Sequence, residues 1–131
     1  MEYMWFVIGA ALNGLILLLL TINVSRIRMK HQISLGDGGN KRLNRAIRTH
    51  ANGVEQVPMF LLLVLSLEFL KASSDLLGAI VILFTISRVF HAIGMLGGPF
   101  ICRRVGAGVT YLAQMVVVAL LVKNVLIALF S

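Results

Sequence analysis

Two arginines, an asparagine and a glutamate enter the second apolar segment of the chain at regular spacing. Arg45, Arg48, Asn52 and Glu55 are separated by three, four and three residues. Because each residue of an α-helix turns by about 100 degrees, these four side chains fall within an arc of roughly 80 degrees. Guanidinium groups bind carboxylates through paired hydrogen bonds, and the glutamate can accept an ammonium group. The stripe therefore predicts a site for a small ligand with several negative charges and one positive charge.

The same stripe has a plainer interpretation, in which Arg45 and Arg48 bind lipid headgroups and Glu55 is neutralised by a salt bridge with Arg48. Polar side chains at this depth are costly enough to be functional candidates by default. His50 projects to the opposite side of the helix, where we expect it at the membrane interface.

Two further helices carry polar residues that could join the stripe. Arg88 and His91 are three residues apart and share one face of a third helix. We expect Arg88 to pair with Glu55, the only acid near its depth. In the plainer alternatives, a buried pair of Arg88 only fixes the packing of the helices, and His91 is a satisfied core histidine. The segment from Gly97 to Gly108 joins the third helix to a fourth, which begins after Arg103 and Arg104 and carries Tyr111. These three side chains could contact a ligand. Alternatively, the arginines only orient the chain and Tyr111 is an interface anchor.

The composition indicates that these helices lie in a membrane. The chain has 131 residues, of which 59% are hydrophobic and 13% are charged, and its mean hydropathy is +0.94. A spanning helix needs about 20 mostly apolar residues, and the sequence has four such runs: Met4 to Val24, Val54 to Leu70, Leu76 to Leu96 and Val109 to Phe130. We therefore predict one all-α domain over residues 1–131, an integral membrane bundle of four helices, with the second helix beginning near Lys41.

The distribution of basic residues predicts the orientation of the bundle. Nine of the twelve Lys and Arg residues lie around the first and third connections, and basic loops remain in the cytoplasm. Both termini are then non-cytoplasmic. The net charge of +7 is explained by this asymmetry and suits an anionic lipid surface; we expect no nucleic-acid partner.

Several kinds of chemistry have no motif in the sequence. There is no Cys/His cluster at metal-binding spacing, no phosphate-binding loop and no serine nucleophile elbow, and Cys102 is the single cysteine. We therefore expect no metal. Glutathione, with two carboxylates, one ammonium and a thiol, fits the charges of the stripe, although other zwitterions fit them as well.

The blocks "RAIRTHANGVEQVP", "RVFH", "RR" and "TYLAQ" together resemble the MAPEG family, the membrane-associated proteins in eicosanoid and glutathione metabolism. The resemblance spans essentially the whole chain. It implies a left-handed four-helix bundle that assembles as a homotrimer, with glutathione bound between neighbouring protomers near the cytoplasmic face.

The resemblance also implies roles for individual residues. Arg104 matches the arginine implicated in thiol activation. Either Arg26 or Arg28 matches a further glutathione-binding arginine. Three positions depart from the family pattern: Ala51 replaces an arginine found in some members, Met95 replaces a tyrosine found in some members, and Tyr111 lies later in the fourth helix than the family tyrosine. The glutathione-binding residues expected are Arg26, Arg45, Arg48, Asn52, Glu55, His91, Arg103 and Tyr111.

The function that the resemblance implies is a glutathione-dependent transferase or peroxidase, acting in detoxification on a lipophilic substrate that enters from the bilayer. One alternative is a non-catalytic membrane scaffold or regulatory protein of the same family. The other is a small multidrug-type transporter, but that design needs an acid near the middle of the first helix, where this chain has only Asn13.

The first prediction concerns topology. A reporter fused to the C-terminus should read as non-cytoplasmic, and a reporter inserted at residues 36–40 should read as cytoplasmic, because the basic connections stay on the cytoplasmic side. Paired phosphatase and fluorescent-protein fusions measure both positions. The reverse pattern would contradict the orientation and the access of cytosolic glutathione.

Overall fold

The computed structural model describes residues 3–130, and within them every regular element is a helix. The four helices are α1 (Met4–His31), α2 (Lys41–Phe69), α3 (Ser74–Met95) and α4 (Phe100–Phe130). All four are long and apolar enough to cross a membrane. The predicted fold class, an all-α four-helix membrane bundle, is confirmed.

At the basic end of the bundle, α1 and α4 are longer than the apolar runs identified in the sequence. α1 continues through Arg26 and Arg28 to His31, and α4 begins at Phe100, so that Arg103 and Arg104 belong to the helix and not to the connection. The prediction that the segment from Gly97 to Gly108 joins α3 to α4 is therefore wrong. Hydropathy detects only the part of a helix that lies in hydrocarbon, and each of these extensions carries two arginines.

The helices form a bundle in which α2 and α3 are central. α1 packs against α2 and α3, and α4 packs against the same two helices, whereas α1 and α4 have no contact among the described residues. The core contains the stacked rings of Phe60 and Phe84, whose centroids are 3.6 Å apart. Large apolar side chains on the outer faces remain exposed, as expected for a surface that meets lipid.

The end opposite the basic connections is held by a carboxylate at a helix terminus. Glu68 of α2 accepts hydrogen bonds from the backbone N–H groups of Trp5 at 2.8 Å and Phe6 at 2.9 Å. These groups lack partners within α1 because they belong to its first turn, and the positive end of the helix dipole favours an acid there. Glu68 thus caps α1.

The closest packing in the bundle is between α3 and α4, and glycines make it possible. A Cβ atom at Gly94 would collide with the backbone of Arg103, and one at Gly106 would lie 2.5 Å from the backbone nitrogen of His91. Ser87 and Thr110 bridge the same helices through a hydroxyl contact of 2.9 Å. Small residues let membrane helices approach closely, so this contact fixes the start of α4 against the end of α3.

The second prediction tests this close packing. Gly94→Ala should destabilise the protein by about 1–3 kcal/mol, because the added methyl group must push the backbones apart. Gly108→Ala is the matched control, since a Cβ atom there has no neighbour within 4 Å. Thermal unfolding of the detergent-solubilised variants measures the difference. Equal melting temperatures would show that the α3–α4 contact is loose.

Candidate functional site

A cavity of about 590 Å³ lies at the basic end of the bundle, between α2, α3 and α4. Its wall includes six of the nine site residues predicted from sequence: Arg45, Arg48, Asn52, His91, Arg103 and Tyr111. The remaining wall residues are Asn44, Gly94, Met95, Gly97, Gly98, Phe100 and Ala107. Three helices and the short α3–α4 turn therefore bring most of the predicted residues together.

The wall of the cavity is rich in positive charge. It carries the guanidinium groups of Arg45, Arg48 and Arg103, and none of the carboxylates within residues 3–130 belongs to it. Arg45 reaches across to the α3–α4 turn, since a Cβ atom at Gly97 would lie 3.4 Å from its Nη1 atom. Gly97 also has a φ of +119°, which L side chains rarely adopt. A glycine is thus needed where the turn closes over Arg45.

Arg88 lies behind this wall, where only 3% of it is exposed. Its Nη2 atom donates a hydrogen bond of 2.8 Å to Oδ1 of Asn52. The expectation that Arg88 pairs with Glu55 is therefore wrong. Glu55 lies on the outside of α2 and is exposed, because an arc of about 80 degrees is wide enough for one edge of the stripe to face the bundle and the other to face out.

His91 connects α3 to the start of α4. Its Nδ1 atom lies 3.2 Å from the carbonyl oxygen of Arg103. Because a carbonyl only accepts, Nδ1 carries the proton in this contact. Nε2 is buried and has no partner among the described residues. The histidine thus fixes the main chain of Arg103, whose side chain lines the cavity.

Three of the predicted site residues do not belong to the cavity wall: Glu55, Arg26 and Arg104, all exposed. The guanidinium of Arg26 donates to Oδ1 of Asn23 at 3.2 Å, and that of Arg104 lies 5.9 Å from the ring centroid of Phe100. Each therefore faces the surface of the single chain.

The choice between Arg26 and Arg28 is clarified by the loop that follows α1. Arg28 donates to the carbonyl oxygen of Gly36 at 2.8 Å, with longer contacts of 3.4 Å to those of Ile33 and Ser34. Nη1 of Arg28 is thus held by the loop, whereas the side chain of Arg26 bonds only to Asn23 among the described residues.

Asn44 is a cavity residue that we did not select from the sequence. It precedes Arg48 by four residues, as Arg48 precedes Asn52, and this spacing could have revealed it. Its side chain also donates to Oδ2 of Asp37 at 2.6 Å. The backbone N–H of Gly39 and this amide hold the pKa of Asp37 below its ordinary value, and they anchor the loop beside the cavity.

Comparison with known proteins agrees with the sequence blocks. The model of the MAPEG family matches residues 6–123. The chain is 33% identical over 109 residues to the inner membrane protein YecN of Escherichia coli K12, and it is equally similar to the protein of that name from Escherichia coli O6:H1. Each alignment covers 83% of this chain and 83% of the relative. The resemblance is confirmed, and this integral membrane protein with four helices belongs to the MAPEG family.

Proposed function

We propose that the protein is a membrane-embedded, glutathione-dependent transferase or peroxidase that acts on apolar electrophiles or hydroperoxides. The observation that carries the proposal is the cavity at the basic end, whose wall, among the described residues, carries three arginines and no carboxylate. Membership of a family active in glutathione metabolism supports glutathione as the ligand.

The cavity suits the acidic groups of glutathione. Arg45, Arg48 and Arg103 can hold its two carboxylates through forked hydrogen bonds. Asn52 and Tyr111 add polar groups to the same wall. Glutathione would supply a thiol, whose thiolate form is the nucleophile toward electrophiles and hydroperoxides.

The remaining predicted residues suit a site completed by a second copy of the chain. Glu55 is exposed on a membrane helix, and a carboxylate that faces lipid is costly unless protein covers it. A homotrimer, the assembly that the family implies, would cover Glu55 and could bring it to the ammonium group of a ligand between protomers. Arg26 and Arg104, also exposed, could reach the same ligand.

Arg104 is the residue that we assign to thiol activation. A guanidinium group stays charged, so it acts by stabilising the thiolate and not by accepting a proton. The lipophilic substrate would arrive laterally from the bilayer. The names of the two relatives favour an inner membrane location. The distribution of Lys and Arg favours an orientation with the basic connections in the cytoplasm.

A second candidate function is glutathione binding without turnover, as in a scaffold or regulatory protein. The position of Arg104 outside the cavity wall of the single chain favours it. A turnover assay with a generic aryl chloride separates the two, since a scaffold binds glutathione but consumes no thiol.

The third prediction tests the cavity as the glutathione site. Arg48→Ala should weaken glutathione binding by about 1.5–3 kcal/mol, the usual contribution of a hydrogen bond to a charged group. His50→Ala is the control, because the Nε2 atom of His50 lies 2.9 Å from Oγ1 of Thr21 on α1, away from the cavity. Isothermal titration calorimetry of the detergent-purified protein measures both dissociation constants. If the two variants lose affinity equally, the cavity is not the site.

The fourth prediction tests Arg104 as the activating residue. Arg104→Lys should keep much of the glutathione affinity but lose turnover at neutral pH, since each unit of thiol pKa lowering provides about 1.36 kcal/mol. The loss should shrink as the pH rises through about 8.5, where a free thiol ionises unaided. Steady-state rates between pH 6.5 and 9 measure this change.

The neighbouring arginine provides the comparison for that experiment. Arg103→Lys should weaken binding, because its side chain lines the cavity, but its rate loss should not depend on pH. If Arg104→Lys and Arg104→Ala both retain full turnover at neutral pH, the activating role does not belong to Arg104.

A further inference from the structure

The buried arginine behind the cavity fixes the orientation of an amide in the cavity wall. Arg88 donates from Nη2 to the side chain of Asn52 across 2.8 Å. A guanidinium group has only donors, so the Asn52 atom that faces it must be the oxygen. The –NH₂ group of Asn52 is then directed away from Arg88.

The –NH₂ group of Asn52 is open to a ligand. Nδ2 of Asn52 donates no hydrogen bond to any group among residues 3–130. The fully buried side-chain atoms without a partner in that range are Oδ1 of Asn13 and Nε2 of His91, so Nδ2 of Asn52 is not fully buried. It therefore has accessible surface. Because Asn52 belongs to the cavity wall and Arg88 does not, we infer that the accessible surface of Nδ2 faces the cavity.

We propose that Arg88 is a positioning residue that holds Asn52 as a hydrogen-bond donor toward the cavity, and so makes the site selective for ligands with carboxylate or carbonyl oxygens. Arg88 acts through Asn52 and does not touch the ligand. A freely rotating amide would present its oxygen as readily as its nitrogen. With the oxygen occupied, the donor of Asn52 adds to those of the guanidinium groups of Arg45, Arg48 and Arg103.

The ligand class that follows is a small polyanion with acceptor oxygens at both ends. This inference extends the proposed function, in which glutathione is that ligand. The hydrogen bond from Nδ2 of Asn52, however, needs only an acceptor oxygen on the ligand. Glutarate, a plain dicarboxylate without ammonium or thiol, is therefore an independent probe.

The fifth prediction uses Asn52→Asp, the same shape with an oxygen in place of the –NH₂ group. The carboxylate still accepts from Arg88, so the variant should fold with an unchanged melting temperature. It should bind glutathione and glutarate about 10- to 100-fold more weakly than the wild type, since the donor has become a negative charge. Calorimetric titration with both probes measures the loss. Unchanged affinity for both would overturn the orientation of the amide.

Variants of Arg88 test whether it acts through Asn52. Arg88→Lys keeps a donor-only side chain and should retain most of the affinity, whereas Arg88→Met should lose about 10-fold. In the double variant Arg88→Met/Asn52→Ala both polar partners are gone, which avoids an unpaired buried group. It should bind no more weakly than Arg88→Met alone. A double variant that binds more weakly than Arg88→Met alone would mean that Arg88 acts on the ligand by its own charge, which contradicts the proposal.

The two probes separate this inference from the proposed function. If the wild type binds glutarate but not glutathione, and Asn52→Asp weakens glutarate binding, the role of Arg88 stands and the glutathione proposal fails. If glutathione binds equally to the wild type and to Asn52→Asp, the glutathione proposal stands and the role of Arg88 fails. A wild type that binds neither probe overturns both.

Discussion

The close approach of α3 and α4 is the constraint on which the basic end of the bundle depends. Helices in a bilayer gain no hydrophobic free energy from meeting, so van der Waals contact and hydrogen bonds must hold them together. Here Gly94 and Gly106 let the two backbones touch. The contact brings His91 within 3.2 Å of the Arg103 carbonyl, and it leaves the four-residue turn between the helices as the rim of the cavity. Any side chain at Gly94 would shift Arg103 and the cavity with it.

Polar groups inside the bundle are arranged in pairs that each join two helices. Nδ2 of Asn13 on α1 donates to Oγ1 of Thr85 on α3 at 2.9 Å. The hydroxyl contact of Ser87 and Thr110 joins α3 to α4. Arg88 and Asn52 join α3 to α2. Since lipid offers no hydrogen bonds, each pair favours one register between its helices, and α3 is the member common to all three.

Much of the fold could be predicted from the sequence because the bilayer imposes strong rules. Twenty apolar residues are needed for each span, and this locates the four helices from hydropathy. The helical extensions were missed for the same reason, since Arg26 and Arg103 lie where hydropathy is low. The turn between α3 and α4 is consequently four residues long, where the sequence suggested a longer connection.

The site could be predicted only up to the limits of helical periodicity. A spacing of three, four and three residues puts Arg45, Arg48, Asn52 and Glu55 on one side of α2, but it contains no information about which neighbour each residue meets. The structure divides this stripe, with the first three in the cavity wall and Glu55 outside. The depth of Arg88 suggested an acid as its partner, but the residue that reaches it is the amide of Asn52. A pairing of this kind depends on the angle between α2 and α3, which no spacing within one helix determines. The division also explains why a cavity lined by cations can coexist with an exposed acid on the same helix. Residues that face the bundle contact one another directly, so their charges and hydrogen bonds must match. The charge of Glu55, on the outer face, has to match only the group that covers that face in the membrane.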